Sequence, residues 1–302
     1  MKDNIDPEVI IIGGSYAGLS AAMALGRSLR NVLIIDSGLP CNRQTPHSHN
    51  FLTQDGEKPA EIARKAKAQV LAYPTVMWLD DSAIKGEKTQ HGFRITTASG
   101  QSFTSKKLIV ATGIKDLLPD IKGFAECWSI SVVHCPYCHG YEIRNQKTAI
   151  LANGEKALHL ASLVNNLTDD LTILTSGKAD FIPEQQAKLE KHNIKVLESE
   201  VVELEHDHGV LKNVFFKDGS KASFDAIYAP VPFEQHSDIP ASLGCELTEH
   251  NHIQIDHLQR TSVAGVYACG DNSSGMRSVA NAVSSGNLTG GMVNKELTEE
   301  EF

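Results

Sequence analysis

Residues 8–18 read Glu8-Val9-Ile10-Ile11-Ile12-Gly13-Gly14-Ser15-Tyr16-Ala17-Gly18. An apolar, β-branched run meets a glycine turn and passes into a helical pattern from Leu19 to Leu29. A second β-branched run, Val32-Leu33-Ile34-Ile35, ends at Asp36. Strand, glycine turn, helix and strand make a βαβ unit. Gly13-x-Ser15-x-x-Gly18, with the acidic Asp36 about 20 positions on, has the spacing of a dinucleotide fingerprint. The glycines allow a tight turn and close helix packing, and the helix N-terminus presents its amides to a pyrophosphate. Ser15 stands where the middle glycine is usual, at the point where backbone and phosphates must approach closely. A glycine turn before a helix also occurs as plain packing, so this stretch needs the rest of the chain to give it meaning.

Downstream, residues 76–110 alternate apolar and polar positions, as in Phe93-Arg94-Ile95-Thr96, and predict a β-meander. It runs into Leu108-Ile109-Val110-Ala111-Thr112-Gly113, a strand followed by a small-residue turn. Thr148-Ala149-Ile150-Leu151-Ala152-Asn153-Gly154 repeats the strand-then-glycine pattern, with a helix predicted from Glu155 to Leu167 and a strand at Leu171-Thr172-Ile173-Leu174. A second meander is predicted over 195–228, with a hairpin signal at Lys217-Asp218-Gly219-Ser220. Pro230-Val231-Pro232 suggests a linker, and Glu299-Glu300-Glu301-Phe302 a solvated tail. The plan βαβ, meander, turn is therefore used twice, as a duplication of large units.

At 302 residues the chain has room for two domains, at roughly 100–200 residues each. With 28 Lys and Arg against 37 Asp and Glu, the net charge is −9, which gives no electrostatic footprint for nucleic acid or an anionic membrane. No apolar run reaches the ~18 residues needed to span a bilayer. The N-terminal stretch Met1-Lys2-Asp3-Asn4-Ile5-Asp6-Pro7 lacks the apolar segment of a signal peptide, so the expected location is cytoplasmic.

The six cysteines are Cys41, Cys127, Cys135, Cys138, Cys245 and Cys269. Only two are close together, in His134-Cys135-Pro136-Tyr137-Cys138-His139-Gly140. A C-x-x-C in a cytosolic α/β protein reads first as a redox pair. Zinc is the rival reading, although a structural site usually draws on two separated ligand pairs and no second C-x-x-C or H-x₃₋₅-H follows at suitable spacing. Two unrelated core thiols are the third. The other four cysteines are expected to be small buried hydrophobes.

Two βαβ units, the Ala111-Thr112-Gly113 turn, the central C-x-x-C and a late Gly265-Val266-Tyr267-Ala268-Cys269-Gly270-Asp271 occur in this order. Over nearly the whole sequence this resembles the low-molecular-weight thioredoxin reductase family of FAD-dependent pyridine nucleotide-disulfide oxidoreductases. The resemblance implies an α/β protein of two Rossmann-like three-layer domains, the second inserted into a discontinuous FAD domain. It implies an FAD domain over 1–113 and 240–302, an NAD(P)-type domain carrying the C-x-x-C over 114–239, and a homodimer. By the same resemblance Gly13, Ser15, Ala17 and Gly18 lie at the FAD pyrophosphate and Asp36 takes the adenosine ribose. Asn50 reaches the flavin, and Ala111, Thr112 and Gly113 lie against the cofactor. Gly270 and Asp271 hold the ribityl group, and Arg277, Ser278 and Val279 lie at the polar edge of the ring, with Ser278 in place of a usual glutamine. No metal is implied.

The redox pair then has a mechanism: Cys138 faces the flavin ring and Cys135 attacks an external disulfide. Where the family usually carries aspartate after the second cysteine, this chain has His139, which can exchange a proton near neutral pH. His134 is the alternative. Cys-Pro-Tyr-Cys-His-Gly also resembles a sub-branch, the dithiol oxidases, which close a substrate dithiol and pass electrons to oxygen. The expected substrate is a small dithiol or disulfide or a thioredoxin-like protein.

The second fingerprint, Ala152-x-Gly154-x-x-Ala157, lacks its first glycine. At the end of the next strand, where the family's reductases carry an arginine cluster for the 2′-phosphate of NADPH, this chain has Thr175-Ser176-Gly177. No carboxylate suited to NADH stands there before Asp180, and Lys178 is the nearby cation. The NADPH site is thus read as eroded, with a dithiol or a reduced electron-carrier protein as the alternative donor. Outside enzymes, a zinc- or nucleotide-binding module on a decayed reductase is the remaining reading.

Overall fold

The computed structural model describes residues 7–302. In sequence order the first elements are β1 (Val9–Ile12), α1 (Tyr16–Arg27), β2 (Val32–Asp36), α2 (Pro59–Val70), β3 (Val76–Asp80), β4 (Ala83–Thr89), β5 (Gly92–Thr97), β6 (Ser102–Ser105), β7 (Lys107–Val110) and β8 (Ile114–Asp116). The middle of the protein forms α3 (Phe124–Cys127), β9 (Val132–Val133), α4 (Pro136–His139), β10 (Thr148–Leu151), α5 (Gly154–Val164), β11 (Leu171–Leu174), α6 (Pro183–Lys191) and β12 (Lys195–Leu197). It continues through β13 (Val201–Asp207), β14 (Val210–Phe216), β15 (Lys221–Ser223) and β16 (Ala226–Tyr228). The last stretch holds β17 (Phe233–Gln235), α7 (Ile239–Leu243), β18 (Val266–Ala268) and α8 (Val279–Glu301).

These elements fall into two compact units. One comprises the described residues up to Arg43, with Asn50–Lys115 and Phe233–Phe302; the other comprises Gln44–His49 and Asp116–Pro232. In the first unit a parallel sheet has the order β18-β7-β1-β2-β3. Side chains alternate across it as strand geometry requires. Val9, Ile11, Val32 and Ile34 pack with Leu19, Ala21 and Leu25 of α1 and with Val293 and Leu297 of α8. Ile10, Ile12, Leu33 and Ile35 pack against Phe93 and Ile95 of the antiparallel sheet β4-β5-β6 and against Ile239 of α7. Both faces of the sheet are covered, which is why its inner strands read as unbroken apolar runs.

The second unit repeats the plan. Its parallel sheet has the order β12-β11-β10-β16-β9. Ala157, Leu160 and Ala161 of α5 and Leu189 of α6 cover one face through Ile150 and Ile173. Leu204, Leu211 and Val214 of the antiparallel sheet β13-β14-β15 cover the other through Ala149 and Ile227. Each unit therefore has three layers: helices, a parallel sheet and an antiparallel meander.

Three expectations need correction. Only residues 83–105 and 201–223 form meanders, because β3, β7, β12 and β16 join the parallel sheets. A half-buried edge strand alternates just as a meander strand does, so β3 and β12 carried no signal of their own. Nor is the C-terminal end a loose tail, although residues 298–302 are exposed. Helix α8 continues to Glu301, with Glu300 2.5 Å from Lys107 and Glu301 paired with Arg30 (2.6 Å) and Lys106 (2.8 Å). Among the described residues no helix is long and apolar enough to cross a membrane.

Candidate active site

In the first unit the sequence-predicted residues gather at the C-terminal ends of β1, β2, β7 and β18. Gly13 leaves β1 with φ +102°, a conformation that favours glycine, and a Cβ there would stand 2.3 Å from the Ala111 carbonyl oxygen. A Cβ on Gly18 would stand 1.9 Å from the Gly13 oxygen, so the turn closes only around glycine. Ser15 is the N-cap of α1 but makes no capping hydrogen bond with its side group, and the first turn of the helix carries no acidic residue. Asp36 accepts hydrogen bonds from the Gly14 amide (2.8 Å) and the Gly38 amide (3.1 Å), which fixes its carboxylate beside the turn. Buried Ala17 lies against Gly270, which has φ +84° and donates its amide to Ser285 Oγ at 3.1 Å.

Ala111 donates to the Ile12 carbonyl (2.8 Å), Gly113 has φ +64°, and Thr112 Oγ1 is buried with no hydrogen-bond partner. Asp271 and Arg277 form an ion pair at 3.6 Å. The Ser278 hydroxyl accepts from the Asn281 amide (3.1 Å) as the N-cap of α8, and Val279 packs on the helix-side core. Asn50 is exposed, has φ +59°, and donates its backbone N–H to Asp55 Oδ1 at 2.8 Å.

In the second unit Cys135 and Cys138 form a disulfide, with Cα atoms 5.3 Å apart. The pair lies just beyond β9, whose Val133 is the register partner of Tyr228 in β16. Cys135 caps α4, its sulfur accepting from the Cys138 amide at 3.2 Å, and both cysteines are half-buried. The His134 ring stacks on Trp128, with centroids 5.9 Å apart. Both ring nitrogens of His139 are shielded from solvent and have no hydrogen-bond partner. Burial pushes its pKa below the ordinary 6.5; the Glu142 carboxylate opposes this, as does the Cys135 carbonyl, which lies near without hydrogen-bond alignment, while His49 adds to it. The ring is therefore neutral at pH 7.

The other cysteines differ sharply from this pair. Burial raises the pKa of the Cys127 and Cys245 thiols and pushes Cys269 up to about 12. Cys41 is exposed, against the expectation that it would be buried. Among the described residues no three His, Cys, Asp or Glu residues group to hold a metal ion.

A cleft of about 400 Å³, lined by Leu117, Ile121, Leu151, Ala152, Val231 and Pro232 among others, opens where β10, β11 and β16 end. Asn153 caps α5: its Oδ1 accepts from the amides of Gly154 (2.9 Å) and Asp180 (2.8 Å), and its amide group donates to the Lys178 carbonyl (2.8 Å). This draws Asp180 onto the turn, so that a Cβ on Gly154 would stand 3.6 Å from Asp180 Oδ2. Glu155 occupies the first helical turn, and the Glu198 carboxylate accepts from the Ala179 amide at 2.7 Å.

Sequence reading missed several residues of these turns. Gly14 has no space for a larger residue, since a Cβ would stand 2.2 Å from the Trp78 ring; only its place inside the glycine pair could have signalled this. Asn272, fully buried after Asp271, donates to the Val110 carbonyl (2.9 Å) and keeps its Oδ1 without a hydrogen-bond partner. His49 and Glu142, far apart in sequence, meet beside His139, which no motif could announce.

A family model described as pyridine nucleotide-disulphide oxidoreductase matches residues 7–286. Thioredoxin reductase tcpT of Claviceps purpurea is 32% identical, covering 96% of this chain and 94% of that protein. An oxidoreductase of Agrobacterium tumefaciens superposes with a TM-score of 0.92 at 34% identity, covering 98% of this chain and 99% of that one. A putative thioredoxin reductase, TrxB, of Bacillus anthracis gives 0.93 at 30% identity, covering 98% and 100%. The two three-layer units and the Cys135–Cys138 disulfide agree with these matches. The protein belongs to the pyridine nucleotide-disulphide oxidoreductases and is a thioredoxin-reductase-like flavin disulfide oxidoreductase with FAD as its cofactor.

Proposed function

We propose that residues 1–113 and 240–302 hold FAD, and that 114–239 exchange electrons between the flavin and an external dithiol or disulfide with little use of NADPH. The first unit fits a dinucleotide. The N-terminus of α1 has neither a capping hydroxyl bond nor an acidic neighbour, and the buried Thr112 Oγ1 and Asn272 Oδ1 have no protein partner to satisfy them. Gly13, Ser15, Ala17 and Gly18 are assigned to the pyrophosphate, Asp36 to the adenosine ribose, and Gly270 with Asp271 to the ribityl group. Ala111, Thr112 and Gly113 line the cofactor, with Arg277 and Val279 toward the ring. Ser278 caps α8 by accepting at its hydroxyl, which keeps its own proton to donate toward the ring. Asn50 is assigned to the flavin on its motif position.

FAD, when bound, stores the two electrons that the cysteine pair gives or takes. Cys135 meets the external sulfur, Cys138 is the sulfur released, and His139 holds the proton that exchange sets free. The substrate class is a small dithiol or disulfide or a thioredoxin-like protein; the homodimer and the cytoplasmic setting are part of the same reading.

The observation that carries the NADPH argument is the acidic turn of the second unit. Pyrophosphate binds a helix N-terminus through free amides and positive potential. Here Asn153 already takes the Gly154 amide, and Asp180, Glu155 and Glu198 put carboxylates around the turn. The same observation favours a second reading, dithiol oxidation with oxygen as acceptor, because electrons drawn from a dithiol then leave by another route. An anaerobic titration followed by flavin absorbance tests both: a dithiol should bleach the flavin rapidly and NADPH slowly. Rapid stoichiometric bleaching by NADPH would restore the ordinary reductase reading.

A further inference from the structure

Behind the redox helix α4 lies a group of titratable residues that the disulfide chemistry does not account for. The Glu142 amide donates to the His139 carbonyl (3.2 Å), so Glu142 sits one turn past the imidazole. Its carboxylate stands 3.4 Å from His49 Nδ1, on the short 44–49 segment belonging to the same unit. His49 in turn lies beside His47, with ring centroids 6.5 Å apart. Glu142 is exposed, His49 half-buried, and the His139 nitrogens are closed to solvent. The group therefore runs from a shielded imidazole to an ion pair whose carboxylate reaches solvent. Tyr228 of β16 feels the Glu142 carboxylate from the sheet side, and burial keeps its hydroxyl protonated; α5 packs behind α4.

We infer that Glu142 and His49 form the proton exit of the redox pair, carrying to solvent the proton that His139 takes up during exchange. The inference rests on the role given to His139 above. An external thiol loses its proton and its thiolate attacks Cys135 Sγ. The Cys135–Cys138 bond breaks as the mixed disulfide forms, and its electron pair leaves on Cys138 as a thiolate. The proton released is held by His139, passes to the Glu142–His49 pair and reaches water. Without an exit, His139 stays protonated in a closed site and the next exchange waits.

The test uses the FAD-loaded protein. The rate at which added dithiothreitol opens the disulfide is read by rapid alkylation, and the His139 midpoint by NMR of its imidazole. Glu142→Gln and His49→Asn should each slow opening about tenfold at pH 7, less than the full ~10²–10⁴ of general acid–base help. Free imidazole in the buffer should restore both, which a misfolded site does not allow. Because the carboxylate favours the protonated ring and His49 disfavours it, the midpoint should move down in Glu142→Gln and up in His49→Asn. Wild-type rates in both variants, with a slow His139→Ala variant, would overturn the exit alone. A wild-type rate in His139→Ala would overturn the role of His139 and the exit with it. Slowing that imidazole does not rescue, with the midpoint unmoved, would reduce Glu142 and His49 to structural residues.

Discussion

His139 carries a neutral imidazole in a place where most histidines would find a partner or water. Its depressed pKa means that it gains a proton only as pH falls through a value below 6.5. A rate that uses the neutral ring should stay level from neutral pH to below 6.5 and then fall. His139→Ala should lower it by ~10²–10⁴ and remove that acid limb, as alkylation rates across the pH range will measure. The stability linkage has the matching sign. The unfolded state binds this proton more readily, so the stabilising contribution is present above about 6.5 and lost as pH falls through the folded-state value. The cysteines separate as cleanly. In the oxidised protein a thiol reagent should titrate one cysteine rapidly, Cys41, and three after mild dithiol treatment, while the buried thiols of Cys127, Cys245 and Cys269 respond only on unfolding. Rapid titration of a fourth thiol in the folded, reduced protein would contradict the burial of those three.

Helices α1 and α8 cross on glycine. A Cβ on Gly286 would stand 2.1 Å from the Ala17 carbonyl, and one on Gly290 2.5 Å from that of Ala21. In an exposed helix, Gly→Ala gains about 1 kcal/mol. At Gly286 the backbone must separate instead, and overpacking of this kind costs about 1–3 kcal/mol. Gly286→Ala should therefore lower the Tm measured by calorimetry, and a raised Tm would show that the crossing can give. The C-terminal turns of α8 are held by charge. Lys107 is 5% exposed and lies 2.6 Å from Glu296 and 2.5 Å from Glu300. Lys107→Met should destabilise by about 1–3 kcal/mol, below the range for fully buried pairs because both carboxylates reach water. Burial opposes ionisation of Glu296, yet Lys107 and Tyr267 hold its carboxyl below 4.5. Its stabilising contribution is present above about 4.5 and lost as pH falls through the folded-state value. Chemical denaturation of the two proteins should therefore converge in acid.

For the whole molecule, electron supply is the property that charge decides. A 2′-phosphate needs paired cations, and bidentate arginine is the usual answer. The Thr175–Asp180 stretch offers Lys178 alone, with Asp180 and Glu198 built into the turn by Asn153 and the Ala179 amide. Asp180→Asn combined with Glu198→Gln should raise the anaerobic rate of flavin reduction by NADPH while leaving reduction by a dithiol unchanged. No gain in that rate would mean that the carboxylates are not what excludes NADPH. Flavin released by denaturing the wild-type protein should be FAD, at one per protomer.

The βαβ at Val9–Asp36 and the disulfide partners Cys135 and Cys138 were legible in sequence because their chemistry is local. A glycine turn, a β-branched run and a two-residue cysteine spacing each limit what a few neighbouring residues can do. Family resemblance, carried by the order of such motifs, reached the activity. The strand partners of β3 and β12, the use of Ser278 as a helix cap and the anchoring of Glu300 and Glu301 were not legible. Each depends on which segment lies alongside, and alternation or charge in one segment is the same whichever partner it meets. The closing of Asp180 onto Gly154 and the meeting of His49 with Glu142 beside His139 belong to the same class. Residues 26 and 93 positions apart are brought together by loops that the parallel sheet positions, and only packing of the folded protein sets those distances.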